Sequence, residues 1–224
     1  MTTTSTALHT PASQSLGAIV VQFTRQTWAG LRVLLGFTVV LGIVYPAAVM
    51  AAGQLAFPWQ ANGSLITSTG QRSTSVTGTG AHAVVGSALI GQSFTGPTWF
   101  HPRPSAAGDG YDTLASAGSN LGPNNPDLLA TVQQRREQVA DNNGVDPAAV
   151  PADALTASAS GLDPDISPAY ARLQVARVAA ARGIAEERVA ALVADSIRGR
   201  TWGLLGEPRV NVLRLNIALE TMAP

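Results

Sequence analysis

Val33 to Phe57 reads VLLGFTVVLGIVYPAAVMAAGQLAF, a run without a single charge in which Gln54 is the only strongly polar residue. Coiled as a helix at about 1.5 Å per residue it spans about 37 Å, more than the roughly 30 Å hydrocarbon core of a bilayer. A helix satisfies its backbone groups internally, so this stretch can live in lipid. Pro46 inside it removes one hydrogen bond and predicts a kink. A cleaved signal peptide is the competing reading, with small residues at Val49-Met50-Ala51-Ala52. The long segment before the run, and its continuation past that point, favour an uncleaved anchor.

Charge sets the expected orientation. Arg25 and Arg32 precede the run with no acid before them, and no charge follows until Arg72. By the positive-inside rule the N-terminus is cytoplasmic and everything beyond about residue 58 is outside. Residues 1–30, rich in Thr, Ser and Ala, read as a cytoplasmic, largely disordered tail, with Ile19 to Phe23 and Trp28 along the membrane surface as the helix begins. Residues 31–57 form the transmembrane helix and 58–224 one extracytoplasmic domain. Gly36 and Gly42, with Ala47, Ala48 and Ala51, offer a close approach to partner helices.

Composition excludes several chemistries. The 14 basic residues balance 14 acidic ones, which gives no basic field for nucleic acid. Cysteine is absent, so neither disulfides nor thiolate metal sites can form. Every basic residue is arginine; a nucleotide-hydrolase phosphate loop and a Ser-Lys pair both need lysine. His9, His82 and His101 make no metal cluster, and no intrinsic cofactor or catalytic residue is expected.

Outside the anchor the pattern is α+β. Thr67 to Gly80, mostly Ser, Thr and Gly, reads as a flexible, dispensable insertion. Val84 to Phe94 predicts one or two strands, and residues 98–122 a loop. Asn125-Pro126-Asp127 starts a helix that Gly144 stops. Ser167-Pro168 starts a second, ended by Gly183; Glu186 opens a third, ended near Gly199. Val210 to Leu219, apolar at 213, 215, 217 and 219, favours a closing strand, with a helical end as the alternative.

The segments FPWQANGSLI (57–66), GSALIGQSF (86–94), Trp99-Phe100-His101 with Arg103-Pro104-Ser105, GSNL (118–121) and TASASGLD (156–163) stand in register. Arg177-Val178-Ala179, Val210-Asn211-Val212 and Leu215-Asn216 continue the series. Together they resemble the C subunit of the bacterial Kdp potassium-transporting ATPase. That resemblance implies a single-pass plasma-membrane protein and a non-catalytic accessory role in ATP-driven potassium uptake. Its implied partners are a channel-like potassium-binding subunit, a P-type ATPase subunit and a small membrane subunit, besides the lipid bilayer. It also implies a catalytic-chaperone role that raises the ATPase subunit's affinity for ATP. The only candidates for contacting ATP are Ser158, Ser160, Gly161 and Asp163, in a loop similar to a transporter signature.

The partner-interface candidates within the matching segments are Asn62, Gly63, Ser64, Gln92, Phe94, Phe100, Arg103, Ser119, Asn120, Arg177, Asn211 and Asn216. Turn chemistry inside the domain is the alternative for NGS, GSNL and SGLD. A buried Asp163–arginine pair is expected to hold loops together. The alternative function is a membrane-anchored extracytoplasmic hydrolase using Ser160 or His101.

Overall fold

A computed structural model describes residues 15–222, and the chain divides between Phe57 and Pro58 into two compact units. Among its described residues the first is helical from Leu16 to Ala56: α1 (Leu16–Val39), a π-helical turn (Val40–Val44) and α2 (Tyr45–Ala56). Its mean hydropathy reaches 2.3, and among the described residues it is the one helix long and apolar enough to cross a membrane. Ser15 caps it by accepting the Ala18 N–H. The tail expected over 1–30 is thus corrected for residues 16–30, which are helical; residues 1–14 lie outside the described residues. Helix formation does not stop where hydrophobicity does, and at about 1.5 Å per residue the 41 residues reach about 60 Å, twice a hydrocarbon core. Pro46 has no N–H to give Gly42, and the π turn just before it absorbs the mismatch, with Tyr45 N–H reaching Val40 O. Thr24 and Thr38 spend their hydroxyls on the carbonyls of Val20 and Leu34.

The second unit is α+β. A short helix α3 (Pro58–Ala61) leads into an antiparallel sheet of order β2-β1-β3, from β1 (Leu65–Thr67), β2 (Arg72–Ser73) and β3 (Val84–Ser87). Ile66 sits opposite Arg72 on one side and Gly86 on the other. A second antiparallel sheet orders β4 (Asp165–Ile166), β6 (Arg209–Asn211) and β5 (Ile197–Arg198) as β4-β6-β5. In sequence α4 (Pro126–Asn143) lies between the two sheets, α5 (Pro168–Leu173), α6 (Val175–Arg182) and α7 (Glu186–Ser196) lie between β4 and β5, and α8 (Val212–Glu220) closes the fold.

The local signals work as anticipated. Asn125 accepts from Asp127 and Leu128 N–H, Pro126 takes the first helical position, and Gly144 ends α4 left-handed at φ 63°. Ser167 caps α5 and is itself gripped by Asp153, which accepts its N–H at 2.7 Å and its hydroxyl at 2.8 Å. Three expectations change for tertiary reasons. The helix from Pro168 is interrupted at Gln174, and the third helix stops at Ser196 because Ile197 and Arg198 pair with β6. The closing strand is short, Arg209–Asn211, and the helical alternative holds for Val212–Glu220. Leu213 and Ile217 pack on Ile66 and Ala88, whereas Val212, Leu215 and Leu219 enter the main core with Val178, Val189 and Val193. A helix buried on two sides mimics strand alternation.

The Thr67–Gly80 stretch is likewise corrected. Thr67 is buried, its hydroxyl accepts the Gln71 N–H, and Arg72 pairs in β2 while its guanidinium lies 4.4 Å from the Trp59 ring. Deleting Ser68 to Thr79 is therefore expected to cost about 1–2 kcal/mol, through the lost edge strand and cation–π contact, and to lower the thermal midpoint by several degrees. An unchanged midpoint would restore the dispensable reading.

Candidate functional site

The segment Gly96–His101 is held by four polar side chains distant in sequence. Asn216, in α8, accepts the Phe100 N–H at 2.9 Å and donates to the Phe100 carbonyl at 3.0 Å. Gln174, at the α5–α6 break, does the same for His101, at 2.7 and 3.1 Å. Two amide side chains thus stand in for neighbouring strands, and both are almost fully buried. Arg177 donates to the carbonyls of Pro97 (2.7 Å) and Trp99 (3.0 Å), to Asn143 Oδ1 and to Gln174 Oε1. Arg182 donates to Thr98 O and stacks 4.4 Å from the Trp99 ring. Satisfied in this way, buried polar groups specify one loop conformation. Phe94, tilted 45° to Trp99 at 5.8 Å, packs against both hydrophobic clusters. Burial pushes the Tyr170 hydroxyl up to about 12, against the opposing charge of Arg177.

His101 closes the clamp, its Nε2 donating to Gly96 O at 2.7 Å. Burial, helped by the charge of Arg177, lowers its pKa below 6.5 against the opposing Gly96 bond. The folded state therefore favours neutral imidazole, while the unfolded chain takes up a proton near 6.5. This contribution to stability is complete above pH 6.5 and is lost as pH falls toward the lowered folded value. Urea midpoints should drop on acidification across that window, and His101→Gln should flatten the slope; an equal slope in the variant would exclude His101 as its source.

A second set of loops is tied around TASASGLD. Arg103 pairs with Asp163 at 2.7 Å, the arginine partner that the sequence left unnamed, but with side chains 22% and 29% exposed the pair is only partly buried. Asp163 also accepts the Asp165 N–H, and Tyr111 donates to Arg103 O at 2.6 Å. Burial, reinforced by Asp163, raises the Tyr111 pKa well above 10. Ser105 donates to Gly161 O, Ser116 to Ser160 O, and Gly91 N–H to Leu162 O. Gly161, left-handed at φ 67°, presses against Ala107 and Ala117 where any Cβ would collide. Its N–H donates to Ser158 O and that of Leu162 to Ser160 Oγ, so two of the loop's amide hydrogens are already engaged. Ser158 and Ser160 hydroxyls lie 3.4 Å apart. Among the described residues no hydrogen bond joins Ser160 to His101 or to any other base, which withdraws support from the hydrolase reading.

Other candidates scatter. Ser64, Phe100, Asn211 and Asn216 are buried within the unit, which removes them from the partner surface expected of them. Asn62 bonds Pro58 O; Gly63 turns at φ 87°; Gln92 donates to Val85 O beside Gly86. Asn211 caps α8 through Arg214 N–H and donates to Ala88 O. Ser119 and Asn120 are exposed and apart from the clamp, and Gly36 and Gly42 open onto space along the first unit. Gln174 and Arg182 went unnoticed in the sequence; a lone amide between Leu173 and Val175 was the available sign.

One surface feature stands out. Between β5 and β6 a loop folds on itself, Thr201 pairing with Leu205, and Trp202 adopts φ 53°. Arg200 and Glu207 pair across its base at 2.7 Å. Its tip holds Trp202 at 87% exposure, Leu204 at 80% and Leu205 at 57%.

Residues 27–221 match the family model described as "KdpC: K+-transporting ATPase, c chain". The chain is 56% identical over 200 residues to the "Potassium-transporting ATPase KdpC subunit" of Kineococcus radiotolerans, covering 89% of this chain and 95% of that protein. The protein of the same name from Gemmatimonas aurantiaca is 54% identical over 185 residues, covering 82% and 86%. That from Mycobacterium tuberculosis is 52% identical over 200 residues, covering 88% and 99%.

Proposed function

The chain belongs to the family of K+-transporting ATPase c chains, and from that premise we propose that it is the non-catalytic, membrane-anchored subunit of an ATP-driven potassium uptake complex. Hydrolysis and ion selection fall to partners: a P-type ATPase subunit, a channel-like potassium-binding subunit and a small membrane subunit. The helix from Leu16 to Ala56 anchors the chain once in the plasma membrane. Arg25 and Arg32 ahead of the apolar run favour a cytoplasmic N-terminus and an extracytoplasmic second unit. Any effect on ATP affinity passes through contact with the ATPase subunit, because the Ser158–Asp163 loop spends its groups on its own neighbours.

The observation that carries this reading is the exposed tip. An aromatic and two leucines held outward on a braced loop gain nothing within the chain and fit a pocket on a partner, where such anchors concentrate binding energy. Trp202→Asp with Leu204→Asp should leave the thermal midpoint of the full chain unchanged. In cells it should reduce co-purifying partner subunits about tenfold or more, with potassium-stimulated ATPase activity falling in parallel. Partners retained at wild-type stoichiometry would overturn the docking role.

A further inference from the structure

Four arginines from four elements border one cavity of about 160 Å³: Arg72 in β2, Arg198 in β5, Arg209 in β6 and Arg214 in the first turn of α8. Against four guanidinium groups stands one carboxylate, Asp165, and it is already spent. It accepts from Arg209 Nε at 3.1 Å and from Asn211 Nδ2 at 3.2 Å. Among the described residues the guanidinium groups of Arg72, Arg198 and Arg214 have neither an ion pair nor a hydrogen bond. Two of them lean on the same ring, Arg72 at 4.4 Å and Arg214 at 5.9 Å from the Trp59 centroid. Burial, and then the charges of Arg198 and Arg72, push the Arg214 pKa down.

Such a cluster relaxes when an anion enters. Guanidinium forks match the oxygens of a phosphate and bind it in pairs. The cavity lies below the roughly 300–1,000 Å³ of sites that enclose drug-sized ligands, so it suits a phosphate group and not a nucleotide. Its ring also points to the source. Trp59 follows Ala56, the last residue of the membrane-length helix, by three positions, and chain length keeps the two within about 11 Å. Tryptophan belongs at the headgroup level of a bilayer.

We propose that Arg72, Arg198 and Arg214, gathered over Trp59, bind the headgroup phosphate of an anionic phospholipid. This rests on the reading that Leu16–Ala56 is inserted in the membrane and is independent of the partner-docking tip.

The test uses the full chain alone in detergent micelles, titrated with phosphatidylglycerol or phosphatidylcholine and read by native mass spectrometry. The wild type should retain phosphatidylglycerol about a hundredfold better, at about a factor of five for each of the three arginines. Arg198→Gln, which disturbs no stacking contact, should weaken that preference about fivefold, and Arg72→Gln with Arg214→Gln about twenty-five-fold, at about a factor of five per arginine near an anionic surface. Trp202→Asp with Leu204→Asp should leave the preference intact, which separates this site from the docking tip. Equal retention of both lipids, or an undiminished preference in both arginine variants, overturns the proposal. So does broadening of the phosphorus resonance of millimolar inorganic phosphate without lipid preference, which would give the pocket to a free anion. Loss of partner subunits by the arginine variants at unchanged lipid binding would give it to a protein carboxylate, and likewise overturns it.

Discussion

Asn216→Leu is expected to destabilise the second unit by about 2–5 kcal/mol. The replacement has nearly the same volume and sits in an apolar surround, so packing is close to conserved. What it removes is both partners of Phe100, whose N–H and C=O Asn216 holds at 2.9 and 3.0 Å, at a site 1% exposed. A buried backbone group left without a partner costs about 1–3 kcal/mol, and two are orphaned together. Gln174→Leu should behave similarly, since it orphans His101 and strips an acceptor from Arg177. Denaturant titration should show a lower midpoint with an unchanged slope. A loss below about 1 kcal/mol for Asn216→Leu would mean that water or a shifted loop replaces the amide, and that the clamp is not what fixes Gly96–His101.

Starting the chain at Pro58 should leave a folded second unit that has lost about a thousandfold in apparent affinity for its partners. Both hydrophobic clusters lie wholly within that unit, so its stability does not depend on the helix. Docking does, by the reading proposed above: with the helix seated among partner helices, the tip at Trp202 meets its pocket as an intramolecular event. A short tether gives effective concentrations in the millimolar range and gains of about 10²–10⁴ without any new contact. The truncated chain should give the near-ultraviolet dichroism and thermal midpoint of the folded unit, yet restore potassium-stimulated ATPase activity to a complex lacking this subunit only at high concentration. Full restoration at micromolar concentration would make the anchor incidental.

Both outcomes turn on contacts between residues far apart in sequence, and the two kinds of information divide along that line. Legible along the chain is what is settled within a few residues: the membrane-length helix from its uncharged run, the Asn125-Pro126 and Ser167-Pro168 starts, and the Gly144 and Gly183 stops. Each of those depends on chemistry reaching three or four positions along the chain. It also held enough in-register segments to show the resemblance that the family match bears out. Its hydrophobicity boundary misjudged where the first helix begins, although Ser15 was there as a cap.

Tertiary structure alone decided the rest. Whether Val212–Glu220 alternates as a strand or turns as a helix depended on there being two apolar surfaces to bury against, one under β1 and β3 and one under α6 and α7. Thr67–Gly80 gained a strand because Leu65 and Ile66 needed a partner. The amides of Gln174 and Asn216 act 73 and 116 residues away from their own positions. Arg72, Arg198 and Arg214 share a cavity for the same reason. Burial leaves a polar group no partner but the one folding brings to it, and folding chooses that partner in space, not along the chain.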